Sequence, residues 1–349
     1  MRYVFVALAA SALASCAGPW PSSPTPTAAA PPGAQFPDNA QAHLYVAWDN
    51  NNLTSSEIRV YQTRLVAQPK LLHTLNTPYA EIRGMTTDAS GNLYAAACNS
   101  CDDNATSGST PARGSSASNG IAVYRHGGDP SLDYIAPDGE LPIRVAVGSD
   151  GTVYSGNAFY RMKAKTWRLA VEIYAKGQKE PTKTLPVVAA AANRNMGLAL
   201  DGQGNLWASY VQSNSKFPVE LVEYASGSST PKTYALSSQY SSSLGGLTFD
   251  SAGRLLVATC FGGHCGTAIF DVPSMQQVAF IRAKCLKVGS NTLCFTPAAF
   301  AFNADESQLW ATELTGVVGY TYPKGKLKTD FLISRGNEGY LPYGVTVGR

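Results

Sequence analysis

Apolar and polar positions alternate along most of this chain, and the alternation recurs. In Ile82–Ala96, IRGMTTDASGNLYAA, a small residue precedes alternating apolar positions, a turn ending in glycine and a second apolar run. Copies begin at Arg144 (RVAVGSDGTVYSG), Gly197 (GLALDGQGNLWAS) and Gly246 (GLTFDSAGRLLVA). A fifth, AFAFNADESQLWAT from Ala299, carries one extra residue in its turn. Two half-copies remain: HLYVAWD at His43 has only the second run and GVTVGR at Gly344 only the first. A period of two marks strands with two distinct faces. Met85, Val145, Leu198, Leu247, Phe300 and Val345 are apolar, whereas the next residues, Thr86, Ala146, Ala199, Thr248, Ala301 and Thr346, are small. This predicts a small face turned to a crowded axis and a large face packed on the neighbouring unit. The D-x-x-G connection predicts a hairpin whose glycine takes the left-handed conformation.

The turn glycines Gly91, Gly151, Gly204 and Gly253 are 60, 53 and 49 residues apart, the period of a four-stranded propeller blade and not of a helical repeat. A third strand in each unit ends in an aromatic residue and a polar turn, as in GIAVYRHGG, AVEIYAKG and ELVEYASG. A fourth follows, such as Lys232–Ser237 or Lys328–Ser334. The expected fold is all-β, a six-bladed β-propeller over residues 43–349. Gly344–Gly348 supplies the inner strand of the blade begun by His43–Asp49, so the N- and C-terminal strands close the ring and leave no open edge.

The pattern G-hydrophobic-x-hydrophobic-D-x-x-G-N-L-Y/W, clearest in Gly84–Tyr94 and Gly197–Trp207, resembles the NHL-type and related six-bladed propellers of bacterial secreted proteins. One such fold hosts many activities, so the resemblance implies architecture far more than chemistry.

A formal net charge of +3 over 349 residues is too small to argue for nucleic acid. The N-terminus reads as a targeting segment over residues 1–15, with Arg2 and then the apolar Val4–Leu13, too short for an ordinary membrane span. Leu13-Ala14-Ser15-Cys16 resembles a bacterial lipobox. The resemblance implies cleavage before Cys16 and acylation of that cysteine, palmitate being a typical chain; several chains anchor firmly where one does not. The alternative is an ordinary signal peptide with a coincidental cysteine. Ala17 after the cysteine resembles an outer-membrane address, facing the periplasm or the surface. Residues 16–42 are a Pro/Ala-rich tether that at ~3.1 Å per residue spans up to about 80 Å. The expected partner is thus the membrane, through the anchor, with a protein, peptide or glycan ligand and a monomeric chain.

Six cysteines besides Cys16 predict disulfides in an exported protein. Chain order suggests Cys98–Cys101, Cys260–Cys265 and Cys285–Cys294, although the last four could pair otherwise. A redox role for Cys98-Asn-Ser-Cys101 lacks a βαβ context.

In propellers of this kind ligands sit at one end of the channel, where the loops entering the inner strands meet those linking second and third strands. Here that end carries Arg83, Arg144, Arg194 and Tyr343. Arg144 stands where the other units have Gly84, Gly197, Gly246, Ala299 and Gly344, and a guanidinium there reaches an anionic ligand in bidentate geometry. A structural ion pair with Glu140 or Glu81 is the alternative. The connection Asn99–Asn119 holds Asp102 and Asp103, without the denser acidic spacing of calcium loops. Another, Asn157–Arg168, is basic and aromatic; its aromatics either form a ligand surface or pack down. No histidine pair has triad-like context, so no catalytic residue and no cofactor is assigned. Gluconolactonase-like and regucalcin-like propellers hold a central divalent metal, and that resemblance implies Asn157 and Glu313, at the ends of second strands, as its nearest ligands. The expected function is therefore a binding module, with a metal-dependent hydrolase of the gluconolactonase-like group as the alternative.

Overall fold

The computed structural model describes residues 42–50, 55–63, 69–99, 119–125, 128–161, 163–213, 218–241, 245–261, 264–288, 291–294, 296–313, 316–333 and 340–348. They form strands and turns, with no α-helix among the described residues. Six sheets account for almost all of them, and each inner strand packs beside the inner strand of the next sheet until the circle closes. The architecture is a six-bladed β-propeller.

Blade one joins the chain ends. Tyr340–Gly348 lies innermost, followed outward by His43–Asn50, Ser56–Gln62 and Leu71–Leu75. His43 pairs with Gly348, Val46 with Val345 and Asn50 with Tyr340, so the closing strand is longer than the Gly344–Gly348 expected. The inner strands of blades two to six are Glu81–Thr87, Leu141–Val147, Gly197–Leu200, Leu247–Phe249 and Phe300–Phe302. Tyr240–Ser241 pairs with the second strand of blade five where Glu81 and Leu141 begin the inner strands of blades two and three, whereas Leu286–Val288 with Asn291–Leu293 makes a separate hairpin that has no counterpart among the described residues. That hairpin is closed by Cys285–Cys294, and Cys260–Cys265 joins directly paired residues of blade five. Cys98 is disulfide-bonded; its expected partner Cys101 lies outside the described residues, as do Cys16, Asp102, Asp103 and residues 16–41 of the tether.

The hydrophobic core is six wedges, one between each pair of neighbouring blades. Met85 packs with Tyr45 and Ile58 of blade one, Leu198 with Leu169 and Val171 of blade three, and Val345 with Trp310 and Val317 of blade six. The large face of each inner strand thus meets the preceding blade, as expected. The small face is not simply axial: Ala199 shares a wedge with Leu247, and Ala301 with Val345. It receives the large residue of the following blade. Close approach explains the small residues at the strand entries too: a Cβ on Gly84 would lie 2.7 Å from the Ile143 carbonyl oxygen and 2.9 Å from the Arg144 Cα.

The turn motif works as predicted. Gly91, Gly151, Gly204 and Gly253 have φ between 76° and 83°. In blade four, Asp201 Oδ1 accepts the backbone N–H groups of Gln203 and Asn205, and Oδ2 accepts Asn205 Nδ2 and Trp207 Nε1. The carboxylate therefore satisfies both the turn and the buried indole of the second strand.

Candidate functional site

At the end where the inner strands begin, three blades share an irregularity. The ladder skips Tyr343 in blade one, Arg83 in blade two and Ile143 in blade three, so each is the extra residue of a β-bulge. Bulges re-aim side chains. Two of these bulge residues meet: the Arg83 guanidinium lies 4.9 Å from the centre of the Tyr343 ring. In blade three the bulge residue is apolar, and the cation follows it at Arg144.

All six blades contribute to the resulting cluster. Arg144 Nη1 donates to the carbonyls of Arg83 (2.6 Å) and Ile143 (2.8 Å), Nη2 to Ala298 in blade six (2.7 Å), and Nε to Gly245 in blade five (3.5 Å). The side chain thus crosses the channel and ties its opposite walls together. Glu81, which opens the inner strand of blade two, is completely buried; its Oε1 pairs with Arg83 Nε and, at 3.5 Å, with Arg194 Nη2 reaching over from blade four. Asp49 of blade one accepts the Ile82 N–H at 3.1 and 3.3 Å. Burial, and then the neighbouring Glu81, hold the Asp49 carboxyl well above the usual carboxylate range. Burial, and then Arg83, push the Arg144 guanidinium down to about 9. Arg83, Arg144, Arg194 and Tyr343 are therefore brought to one place, around a carboxylate, Glu81, considered from sequence only as a partner for Arg144.

A second polar group fills the upper part of blade three. Arg168 Nη2 pairs with Glu140 Oε1, Asn157 Nδ2 donates to Glu140 Oε2 (3.0 Å), and Ser155 donates to Asn157 (2.6 Å). Thr184 donates to Glu172 (2.6 Å), whose carboxyl is raised by burial and by Glu140. In the long hairpin beyond, Trp167 is buried with Tyr160 5.0 Å away, whereas Phe159 is 36% exposed.

Asn157 and Glu313 stand in different blades with separate partners. Glu313 accepts the Tyr320 hydroxyl and the Lys284 N–H (3.2 and 3.4 Å). Among the described residues no group of three or more His, Cys, Asp or Glu could hold a metal. Burial raises the Glu313 carboxyl to about 7. Because the folded protein then holds that proton more tightly than the unfolded chain, this group favours folding at acid pH. Its contribution fades as pH rises from about 4.5 to about 7, a difference on the order of 3 kcal/mol. Urea denaturation over this range is expected to show the decline, and Glu313→Gln to remove it.

No family model matches the chain, and no curated protein matches it. Solved structures do. A protein of unknown function from Bacteroides caccae superposes with a TM-score of 0.58 at 13% identity, covering 89% of this chain and 100% of that one. A candidate 6-phosphogluconolactonase from Bacteroides uniformis gives 0.50 at 12% identity, covering 87% and 99%. Puromycin hydrolase gives 0.50 at 11% identity, covering 82% of this chain and 45% of its own. At such identities the likeness is one of fold.

Proposed function

We propose that this chain is a lipid-anchored binding module of the bacterial envelope, an NHL-like propeller that takes a compact anionic group at the arginine-bearing end of its channel. The group is a carboxylate or phosphate carried by a protein, peptide or glycan. The convergence of Arg83, Arg144 and Arg194 from three blades supports this reading. Guanidinium forks match the geometry of such anions, and burial strengthens the attraction. Among the described residues of the cluster, the carboxylate facing these cations is Glu81, while Asp49 is driven toward its neutral form. The lipobox-like Cys16 and the proline-rich tether support anchorage.

Arg194 is the residue to test, since Arg144 also holds the carbonyls of four blades. Phosphate and citrate are expected to raise the Tm of the full chain, and Arg194→Gln to weaken their binding by about tenfold, the worth of one charge-assisted contact. No rise in Tm, or affinity unchanged in the variant, would sink the reading. Anchorage is read separately, by whether Cys16→Ser moves the protein out of the membrane fraction. The metal-dependent hydrolase reading rests on Glu313, a buried carboxyl near neutrality. Lactone turnover that needs added Ca²⁺ or Zn²⁺ and is lost in Glu313→Gln would favour it instead.

A further inference from the structure

The ring has two unlike ends. His43 pairs with Gly348, and a Cβ on Gly348 would meet the Thr87 side chain beside the Asp88 turn. Both chain ends therefore leave at the end of the hairpin turns, where Asp88, Asp150, Asp201, Asp250 and Asp305 stand. At the opposite end blade three is extended. Its second and third strands, Val153–Arg161 and Thr166–Tyr174, run nine residues each, and its inner strand starts at Leu141 opposite Ala158. Phe159–Arg161 and their partners Thr166–Arg168 thus project three residues, about 10 Å, past that start.

Arg161, Lys163 and Lys165 are exposed on this projection, next to the exposed Phe159, and no acidic residue lies between Ala158 and Arg168. Arg168 is occupied by Glu140, and exposed Asp138 lies at the foot of the hairpin. Packing of Tyr160 on buried Trp167 fixes the arm. Its tip keeps a lysine, Lys165, at φ 52°, a conformation that glycine or asparagine adopts more readily.

We propose that this hairpin docks on an anionic phospholipid surface, so that the propeller lies with its arginine-bearing end toward the membrane. Clustered cations beside one exposed aromatic ring suit the headgroup region, and the aspartate-bearing end does not. A tether of residues 16–42 is long enough to let the ring turn over. The inference goes beyond the binding reading and uses none of its residues.

The full chain carrying Cys16→Ala, which cannot be acylated, is to be sedimented with phosphatidylglycerol–phosphatidylcholine vesicles and with phosphatidylcholine alone. Salt-sensitive pelleting with the anionic vesicles is expected. Removing one such cation weakens partition about fivefold, so Lys163→Gln with Lys165→Asn is expected to weaken it about 25-fold. The leader contributes equally to both proteins. Equal pelleting of the two, no preference for anionic vesicles, or binding to soluble polyglutamate without vesicle binding would overturn the proposal. An Arg194→Gln result, whichever way it falls, leaves this one untouched.

Discussion

Glu81→Ala is expected to destabilise the propeller by about 3–5 kcal/mol, the usual cost of stranding a buried charge. Glu81 is fully buried and pairs with both Arg83 and Arg194. Its removal leaves the guanidiniums of three blades in a low-dielectric space. One response reduces the loss without cancelling it. Asp49, held toward its neutral form by burial and by Glu81, loses that neighbour and ionises more readily. The urea midpoint should therefore fall sharply, with an unchanged slope. Glu81→Gln keeps the volume and should cost nearly as much, which separates charge from packing. Adding Arg194→Gln to Glu81→Ala should restore part of the stability, because the two changes remove one ion pair. A loss below about 1 kcal/mol would mean that the cluster is solvated and that its burial carries no energetic weight.

The blades were legible because their signal is repeated six times. Alternation names the strands, the D-x-x-G turn names the hairpins, and the half-copies at His43 and Gly344 predict the closure that is found. The disulfides Cys260–Cys265 and Cys285–Cys294 were legible for a related reason: each joins residues close in sequence. The mouth was legible only as a list. Arg83, Arg144, Arg194 and Tyr343 could be placed at one end by counting strands, but not given partners. Arg144 donates to backbone carbonyls, which every residue has, so no side-chain pattern marks them. The bulges at Tyr343, Arg83 and Ile143 depend on one residue each that the strand register skips, and the alternation rule passes over them. The hairpin of Leu286–Val288 with Asn291–Leu293 escaped because it occurs once among the described residues. The basic hairpin of blade three divided between the two alternatives: Trp167 packs down, while the cations beside it stay outside.

Truncation after Tyr343, removing Gly344–Arg349, is expected to abolish cooperative folding, the largest effect of any change considered. The lost residues pair with His43–Ala47, and Val345 is a buried member of the wedge between blades six and one. Thr87 also donates to the Val347 carbonyl across the next interface (3.0 Å). Each buried valine contributes about 1.5–3 kcal/mol and each lost ladder hydrogen bond about 0.5–1.5 kcal/mol. Together these approach the entire stability of an ordinary domain, about 5–15 kcal/mol. The loss is also not local, because a propeller without closure exposes the second strand of blade one as an unpaired edge. Thermal melting by circular dichroism should lose its sigmoid, and the chain should become sensitive to protease. Covalent order should matter little beside pairing. Since Gly348 lies opposite His43, moving Tyr340–Gly348 ahead of His43 through a two-residue Asn-Gly turn makes the same two strands a hairpin. That rearranged chain is expected to melt cooperatively near the parent. If the truncated chain kept the parent's melt, the energy holding the circle together would have to lie in the five other wedges, and closure would be a consequence of folding instead of a condition for it.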